Sequence, residues 1–292
     1  MKGNSVIKVT KNILKDIYKP RSANVKKYDF GLLLVIGGSE FYSGSPALSA
    51  LAAFRAGTDM VRVIAPKRAA DIIASFSPNL AAYPLKGDLL MKEHLATLIS
   101  MTESAKTVSN GNVAVVIGGG MGRSAEVQET ILEYLSETSV PVVIDADAIH
   151  ALAKKPDIIF GKKFLITPHT YEFFVLTGKE IYQLSEEEKI KAVQSETNRL
   201  QTTILLKGKT DIISDGKEVA LNETGSPYMT KGGTGDTLAG ICGGLLARGI
   251  APFKAAQAAA YINGKAGEIV AQEKKEGLLA TDLIEAIPEV LR

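Results

Sequence analysis

The sequence predicts an α/β protein in three layers, with a central, mostly parallel β-sheet and helices on both of its faces. The first observation is a series of short apolar runs, each ending at Gly, Asp or Pro and followed by a helix-like segment, as in buried parallel strands joined by crossover helices. The second is that glycine clusters follow several of these runs, where α/β sheets bind ligands. No proline-rich or low-complexity linker interrupts residues 1–292, which predicts a single domain.

The apolar runs are the predicted strands. They are LLLVIG at 32–37, DMVRVIAP at 59–66, VAVVIG at 113–118, VPVVIDAD at 140–147, FLITP at 164–168 and TTILLKG at 202–208. A β-hairpin is expected in TDIISDGKEVALNE, with its turn around Asp215 and Gly216.

Two predicted helices have clear start signals. The segment SPALSALAAFRAG has Ser45 as an expected N-cap and Pro46 in the first turn, and it ends at Gly57. The segment SEEEKIKAVQSETNRL opens with Ser185 and Glu188 at the spacing of a capping box. Three further helical patterns follow Asp236 in close succession.

Composition excludes several classes of protein. Thirty-four Lys and Arg against 32 Asp and Glu leave a net charge of +2, so no nucleic-acid or anionic membrane partner is expected. No apolar run has the length of a transmembrane helix or signal peptide, which predicts a cytoplasmic protein. The single cysteine, Cys242, excludes an internal disulfide and is interpreted as a buried structural thiol. The lysine-rich residues 1–28 form an arm or helix expected to pack on the sheet or on another subunit.

The stretch KGGTGDTLAG, residues 231–240, carries the strongest functional signal. Glycines let backbone N–H groups approach a ligand, and the N-terminus of the following helix has a partial positive charge that suits a phosphate. Asp236 stands at this predicted anion site. It is either a helix cap or dipole partner, or a base that takes a proton from a hydroxyl attacking a phosphate. The adjacent glycines favour the base, because a cap does not require them.

Other candidate residues follow predicted strands. His169 is either a ligand contact or a turn residue, and Lys207 is either a phosphate-neutralising charge or a solvated lysine at a strand end. Asp145 and Asp147 are two residues apart, so they are expected on one face of the chain, where such a pair could hold Mg²⁺. Asp147 could instead be a helix N-cap.

The standard nucleotide-binding motifs do not fit this chain. The P-loop pattern is absent, and GGGMGR has Arg123 where the Rossmann motif has its third glycine. A P-loop NTPase and a classical dehydrogenase are therefore disfavoured.

Seven ordered segments resemble the ADP-dependent NAD(P)H-hydrate dehydratases of the ribokinase-like superfamily. From about residue 29 onward they are VIGGSEFYSGSPALSALAAFRAGTDMVRV, VIGGGMGRS, PVVIDADAIHAL, LITPHTYEF, LLKGKTDIISDG, NETGSP and GGTGDTLAG. The resemblance implies a ribokinase-like fold and a repair lyase. Such an enzyme dehydrates the S form of hydrated NADH or NADPH by phosphorylating and expelling its hydroxyl, and it converts ADP to AMP and phosphate. ATP as the donor stays an alternative.

The resemblance also implies roles for particular residues. Asp236 is the base on the substrate hydroxyl, and Ser45, Gly120 or Gly122, and His169 contact the hydrated nicotinamide. Mg²⁺ is expected with the nucleotide. The residues implied to hold ADP are Lys207, Gly208, Lys209, Thr210, Asp211, Gly232, Gly233, Thr234 and Gly235.

Four positions depart from the usual family pattern. Ser45 stands in place of alanine, Gly119 in place of proline, Tyr171 in place of glycine and Lys231 in place of a small residue. Tyr171 is expected to reshape the pocket beside His169, and Lys231 to add a cation near the phosphates. The segment before the match is too short for the epimerase domain of many relatives, so a separate epimerase is expected, and the resemblance implies a homotetramer.

The same fold allows two rival functions. A kinase of the same superfamily, acting on a vitamin-precursor hydroxyl, would use the same aspartate and glycine loop with a different substrate pocket. A non-catalytic nucleotide sensor on this fold would be expected to lack the base, yet Asp236 is present.

Overall fold

The computed structural model describes residues 6–292, whose strands form one ten-stranded sheet. The strands are β1 (Ile7–Lys8), β2 (Leu32–Ile36), β3 (Met60–Pro66), β4 (Ala81–Leu85), β5 (Val113–Ile117), β6 (Val142–Ile144), β7 (Phe164–Ile166), β8 (Thr203–Leu206), β9 (Asp211–Ser214) and β10 (Val219–Asn222). Their order is β1-β10-β9-β8-β7-β6-β5-β2-β3-β4. Strand β9 is antiparallel to both of its neighbours, and the other neighbouring pairs are parallel.

Helices alternate with these strands. They are α1 (Asn12–Lys15), α2 (Gly44–Arg55), α3 (Lys67–Phe76), α4 (Leu95–Val108), α5 (Ala125–Glu137), α6 (Asp147–Leu152), α7 (Thr170–Thr177), α8 (Glu186–Leu200), α9 (Thr234–Ala247), α10 (Pro252–Lys274) and α11 (Ala280–Val290), with 3₁₀ turns at Lys92–His94, Pro156–Ile159, Pro227–Met229 and Lys275–Gly277. Among residues 6–292, no helix has the length and hydrophobicity needed to cross a membrane.

The predicted fold class is confirmed. All six predicted strands are present, and β9 and β10 form the expected antiparallel hairpin. Ser185 caps α8 as predicted, since its hydroxyl accepts a hydrogen bond from Glu188 N and the Glu188 carboxylate accepts one from Ser185 N. The edge strand β4 was not predicted, because it is mostly exposed and therefore lacks a continuous apolar run.

Apolar residues cover both faces of the sheet. In β2, Leu33 and Val35 belong to the hydrophobic core that includes α2, α9, α10 and α11. Leu32, Leu34 and Ile36 belong to a second core on the opposite face, which includes α4 to α8. Burial on both faces explains why the strands are almost uninterrupted apolar runs in the sequence.

Helix α9 packs tightly against α2 in the first of these cores. A Cβ built on Gly240 would overlap the backbone carbonyl of Ser49 in α2, so a side chain at this position would force the two helices apart. Cys242, on the same helix, is fully buried, which confirms its interpretation as a structural thiol. The close packing brings the first turns of α2 and α9 together.

The predicted N-cap of α2 is wrong by two residues. The helix begins at Gly44 and its N-cap is Ser43, whose side chain makes no capping hydrogen bond. Ser45 therefore lies inside the first turn, and its hydroxyl donates instead to the Asp236 carboxylate of α9. Pro46 is in the first turns of the helix, as expected.

Part of the predicted N-terminal arm lies outside the described residues, because the description begins at residue 6. Within the described part, β1 pairs in parallel with β10 at one edge of the sheet. The Tyr18 hydroxyl donates to Ala56 O, and Arg248 Nη2 donates to Ile17 O. These contacts correspond to the first of the two placements expected for the arm, packing on the sheet.

The sheet order places the switch point of the topology between β2 and β5. From there, β2 leads outward through β3 and β4, whereas β5 leads outward through β6, β7 and β8. Loops that follow two such strands diverge and leave a crevice at the carboxyl end of the sheet. Close to the strands the two loops are still in contact, since Gly38 N donates to Gly119 O at 2.8 Å. Gly119 lies beside Asp236, which is in the first turn of α9.

Candidate active site

A cavity of about 1250 Å³ lies beside the carboxyl ends of β8 and β10. Its walls come from the turn after β8, the loop after β10, the glycine loop before α9, and α10. Of the nine residues implied to hold the nucleotide, eight line this cavity: Lys207, Gly208, Lys209, Thr210, Asp211, Gly232, Thr234 and Gly235.

Two different physical reasons explain why the loop before α9 is rich in glycine. A Cβ built on Gly232 would meet no atom within 4 Å, and one on Gly235 would meet only Lys207 Nζ, at 3.6 Å. The fold therefore leaves these two positions open for a ligand to approach the backbone. Gly233, which does not line the cavity, has φ 96° and would press a side chain against Leu48 and Ala280. Glycine is therefore needed at position 233 for the backbone conformation and the close packing at the N-cap of α9.

The turn after β8 is closed by Asp211. One oxygen of this carboxylate accepts from Gly208 N at 3.1 Å, and the other accepts from Asn222 Nδ2 at 3.0 Å. Burial raises the pKa of Asp211 to about 6, although both hydrogen bonds oppose the increase. Asp211 thus ties the cavity wall to β10.

Asp236 lies in the first turn of α9, directly after the cavity residue Gly235. Oxygen Oδ1 of its carboxylate accepts a hydrogen bond from the Ser45 hydroxyl. Burial, followed by the negative charge of Asp145, raises the pKa of Asp236 to about 6, while Ser45 and Lys207 act in the opposite direction. A carboxylate with such a pKa is ionised at neutral pH yet more basic than an ordinary aspartate, which suits general base catalysis.

Lys207 is held among carboxylates. Its Nζ lies 2.9 Å from Asp145 Oδ1 and 3.7 Å from Glu172 Oε2, and its side chain is only 19% exposed. Although burial opposes its charge, Asp145 and Glu172 raise the pKa of Lys207 above the ordinary value. The alternative of a solvated lysine at a strand end is therefore wrong. Lys207 is a fixed positive charge at the cavity wall.

The two candidate metal ligands face separate partners. Asp145 accepts from Thr167 Oγ1 and Lys207 Nζ, whereas Asp147 accepts from Gly122 N and Arg123 Nε. The expectation of one shared face is wrong, because it assumed extended backbone and the intervening residue has φ 48° and ψ −122°. The N-cap alternative for Asp147 is also wrong, since this residue lies inside α6.

His169 performs the turn role that the sequence allowed for it. It caps α7, where its Nδ1 accepts from Tyr171 N and Glu172 N, and its own backbone N donates to the Glu172 carboxylate. Its ring, half exposed, also borders the large cavity and a second, apolar cavity of about 590 Å³. Tyr171 and Phe174 line the second cavity too, so Tyr171 does contribute to the pocket beside His169.

Gly120 and Gly122 lie in the loop after β5, and neither lines the large cavity. Gly120 packs under the ring of Tyr42, and Gly122 N donates to Asp147. Burial, and then the charge of Asp236, raise the pKa of Tyr42, which places this phenol near the candidate base. Lys231 lines the cavity as expected of a cation, but its ammonium donates to the Glu276 carbonyl.

Sequence reasoning missed Tyr42 and Glu172 as members of the site. Both are inside segments that it singled out, SEFYSGSP and LITPHTYEF. Their residue types did not show that the charge of Asp236 would act on Tyr42, or that Glu172 would lie 3.7 Å from Lys207. In the segment NETGSP, whose individual residues the sequence did not link to a role, Thr224 and Gly225 line the large cavity.

The fold and the site define a ribokinase-like protein with the parts of a phosphoryl-transfer centre: a glycine loop at a helix N-terminus, a buried lysine and a carboxylate with a raised pKa. The sequence model of the NAD(P)H-hydrate dehydratase family matches residues 33–289. The chain belongs to this family, as its sequence motifs predict.

Named relatives agree with this assignment. The bifunctional NAD(P)H-hydrate repair enzyme Nnr of Hyperthermus butylicus is 40% identical over 279 residues, which cover 94% of this chain and 50% of that protein. The ADP-dependent (S)-NAD(P)H-hydrate dehydratase of Nitrosopumilus maritimus is 35% identical over 285 residues, covering 97% and 94%. The chain thus spans about half the length of the bifunctional relative and nearly the whole of the second.

Solved structures share the architecture. A ribokinase-like superfamily protein from Enterococcus faecalis is similar to this chain with a TM-score of 0.85 and 26% sequence identity, over 98% of this chain and 95% of that one. Such similarity over nearly the whole chain supports the ribokinase-like fold.

Proposed function

We propose that this chain catalyses the ADP-dependent dehydration of the S form of hydrated NADH or NADPH, which regenerates the reduced cofactor. Family membership and the name of a relative matched over nearly its whole length support the reaction class. The observation that carries the proposal is the position of Asp236. It directly follows Gly235 on the wall of the large cavity, and its carboxylate accepts from Ser45 and lies beside Gly119 in the loop after β5.

The large cavity is the proposed ADP site. Gly232 and Gly235 leave backbone open toward it, and the N-terminus of α9 adds the partial positive charge that favours phosphate. Lys207 supplies a full positive charge on the same wall. A preorganised set of donors of this kind stabilises the charge of a transferring phosphoryl group.

Asp236 is the proposed base. It takes the proton of the substrate hydroxyl as that oxygen attacks the terminal phosphorus of ADP, and AMP leaves. The ring nitrogen of the substrate then expels the phosphate, which is a far better leaving group than hydroxide. Loss of a proton from the neighbouring ring carbon restores the dihydropyridine double bond. The net products are NAD(P)H, AMP and phosphate.

Mg²⁺ accompanying ADP is part of the proposal, on chemical grounds, because metal ions neutralise charge in phosphoryl transfer. Residues 6–292 contain no group of three or more His, Cys, Asp or Glu placed to hold a metal. Asp145 and Asp147 already have Lys207 and Arg123 as cationic partners. These side chains do not fit a resident metal site, so no step above depends on one.

The decisive test is to incubate the pure protein with hydrated NADH and ADP and to follow the absorbance of reduced nicotinamide. Recovery of the absorbance with ADP, and formation of AMP, would support the proposal; ATP assayed in parallel identifies the preferred donor. No recovery, together with phosphorylation of a thiazole or pyrimidine alcohol, would show instead a vitamin-precursor kinase. A cytoplasmic location stays a prediction from the sequence, and a homotetramer and a separate epimerase that supplies the S form stay predictions from the family resemblance.

A further inference from the structure

Ser45 and Gly119 both lie against the Asp236 carboxylate. Ser45, in the first turn of α2, is buried, and its hydroxyl donates to Asp236 Oδ1. A Cβ built on Gly119, in the loop after β5, would lie 3.1 Å from the same oxygen. Two elements far apart in sequence therefore converge on one oxygen of the candidate base.

Residue 119 is glycine because the fold leaves no space for a side chain at this position. Its neighbours Gly118 and Gly120 have φ 133° and 68°, which other residues rarely adopt, but Gly119 has no such backbone conformation. What a side chain at Gly119 would meet is the Ser45 hydroxyl, which its Cβ would overlap. The missing side chain leaves room for the hydroxyl that binds Asp236.

We propose that Ser45 is a positioning residue for Asp236, and that Gly119 is required because the Ser45 hydroxyl fills the space of a side chain there. The hydrogen bond holds Oδ1, and among the described residues Oδ2 has no hydrogen-bond partner. The orientation thus leaves Oδ2 as the acceptor for the proton of the substrate hydroxyl. The catalytic meaning of this arrangement rests on the proposed function, whereas the arrangement itself can be tested without it.

Ser45 is also the direct donor that favours the ionised base. Among the charged groups that act on Asp236, Asp145 and Glu172 disfavour its negative charge and Lys207 favours it. The charge of Asp236 in turn raises the pKa of Tyr42. Burial dominates and raises the pKa of Asp236, and the hydrogen bond from Ser45 lowers it. Loss of that bond should therefore raise the pKa of Asp236 further.

The first test compares Ser45→Ala with Ser49→Ala. Ser49 donates to the backbone carbonyl of the same residue, Asp236, at 2.9 Å, so its variant removes a nearby hydrogen bond from the same helix without touching the carboxylate. In Ser45→Ala, the acid limb of kcat/KM should move upward by about one pH unit, the size expected for a hydrogen bond to a charged group. At pH values below the acid limbs of both the wild type and Ser45→Ala, the shift lowers kcat/KM of the variant about tenfold relative to the wild type. In Ser49→Ala, the limb should not move.

Carboxyl titration gives a readout that does not depend on turnover. With ¹³C-labelled aspartate, the signal lost in Asp236→Asn identifies Asp236, and its midpoint should be higher in Ser45→Ala than in the wild type and Ser49→Ala. Equal midpoints would overturn the positioning role, even if the enzyme dehydrates its substrate. A shifted midpoint in a protein that does not act on hydrated NADH would instead refute the proposed function and leave the positioning role intact.

The spatial claim is tested by a double-mutant cycle on stability. Gly119→Ala should lower the free energy of unfolding more in the wild type than in Ser45→Ala, because the overlap with the hydroxyl is absent in the second background. Gly120→Ala is the control, since its Cβ would meet Tyr42 instead of Ser45 and its cost should be equal in both backgrounds. Additive effects of Gly119→Ala and Ser45→Ala in urea unfolding would overturn the claim.

Discussion

Two loops of the cavity region, 207–211 and 232–236, each contain an aspartate whose pKa burial raises to about 6. In the first loop, both oxygens of Asp211 accept hydrogen bonds from the protein itself, from Gly208 N and Asn222 Nδ2. In the second loop, Asp236 Oδ1 accepts from Ser45, and Oδ2 has no such bond among the described residues. A raised pKa therefore does not by itself identify a base. The two carboxylates differ because Asp236 keeps one oxygen without a hydrogen bond from the described residues, and this oxygen can accept the proton of the substrate.

The largest expected effect separates the two aspartates directly. Asp236→Asn should lower the rate of dehydration by about 10²- to 10⁴-fold, the usual contribution of a general base, while ADP still binds. Asp211→Asn should keep most of kcat, because both oxygens of the Asp211 carboxylate are held by Gly208 and Asn222 and neither takes the substrate proton. The check is kcat by absorbance and ADP affinity by calorimetry for both variants. Equal losses of kcat would contradict the distinction.

A second prediction concerns the cation at the start of the first loop. Lys207→Met would leave Asp145 and Glu172 without the ammonium that lies 2.9 and 3.7 Å from them, and removing one partner of a buried pair costs about 3 to 5 kcal/mol. Urea unfolding measures this loss. Lys209→Met is the matched control, because Lys209 is exposed and its loss should barely change stability. If both variants unfold alike, Lys207 has no structural role between the carboxylates.

The pH dependence of activity sharpens the comparison. Asp236 must be ionised to accept a proton, so kcat/KM should fall as the pH decreases through about 6, the folded-state pKa of this carboxyl. At pH 5 the rate should be about a tenth of its plateau, since one pKa unit corresponds to a tenfold change. Asp211 has a similar pKa but no role in proton transfer, so Asp211→Asn should leave the limb in place. If the acid limb moves in Asp211→Asn, the titration that controls activity belongs to Asp211 and the role of Asp236 in this pH dependence is contradicted.

The smallest expected effect tests the open backbone of the second loop. Gly232→Ala adds a methyl group where no protein atom lies within 4 Å, so stability should be unchanged while ADP binding weakens by about tenfold, or about 1.4 kcal/mol. Gly277 is the control, because it has equally open space but does not line the cavity. Calorimetry and thermal unfolding of Gly232→Ala and Gly277→Ala measure both quantities. Unchanged ADP affinity in Gly232→Ala would place the nucleotide elsewhere.

Much of the fold was predictable because its signals are local. Apolar runs predicted six strands, a turn signal predicted the hairpin, and the spacing of Ser185 and Glu188 predicted the start of α8. The same local reasoning failed where backbone geometry or exposure departed from the regular pattern. Asp145 and Asp147 face different partners because Ala146 has a positive φ, and β4 has too little burial to appear as an apolar run.

The candidate site was predictable by residue type and motif, but not by contact. Ser45 and Gly119 were recognised only as two separate departures from the family pattern. In the folded chain they touch, because a side chain at Gly119 would occupy the place of the Ser45 hydroxyl. Tyr42 and Glu172 were missed for a related reason, since their neighbours in the site come from other strands and helices.

The sequence by itself determined six strands, the hairpin, the start of α8, the glycine loop and the family, because each of these depends on residues close together in the chain. Only the tertiary structure decided which aspartate keeps a free oxygen and which lysine is buried between carboxylates. The physical reason is distance along the chain. Ser45 and Asp236 are separated by 191 positions, and their hydrogen bond exists because α9 packs closely enough on α2 to bring the two first turns together.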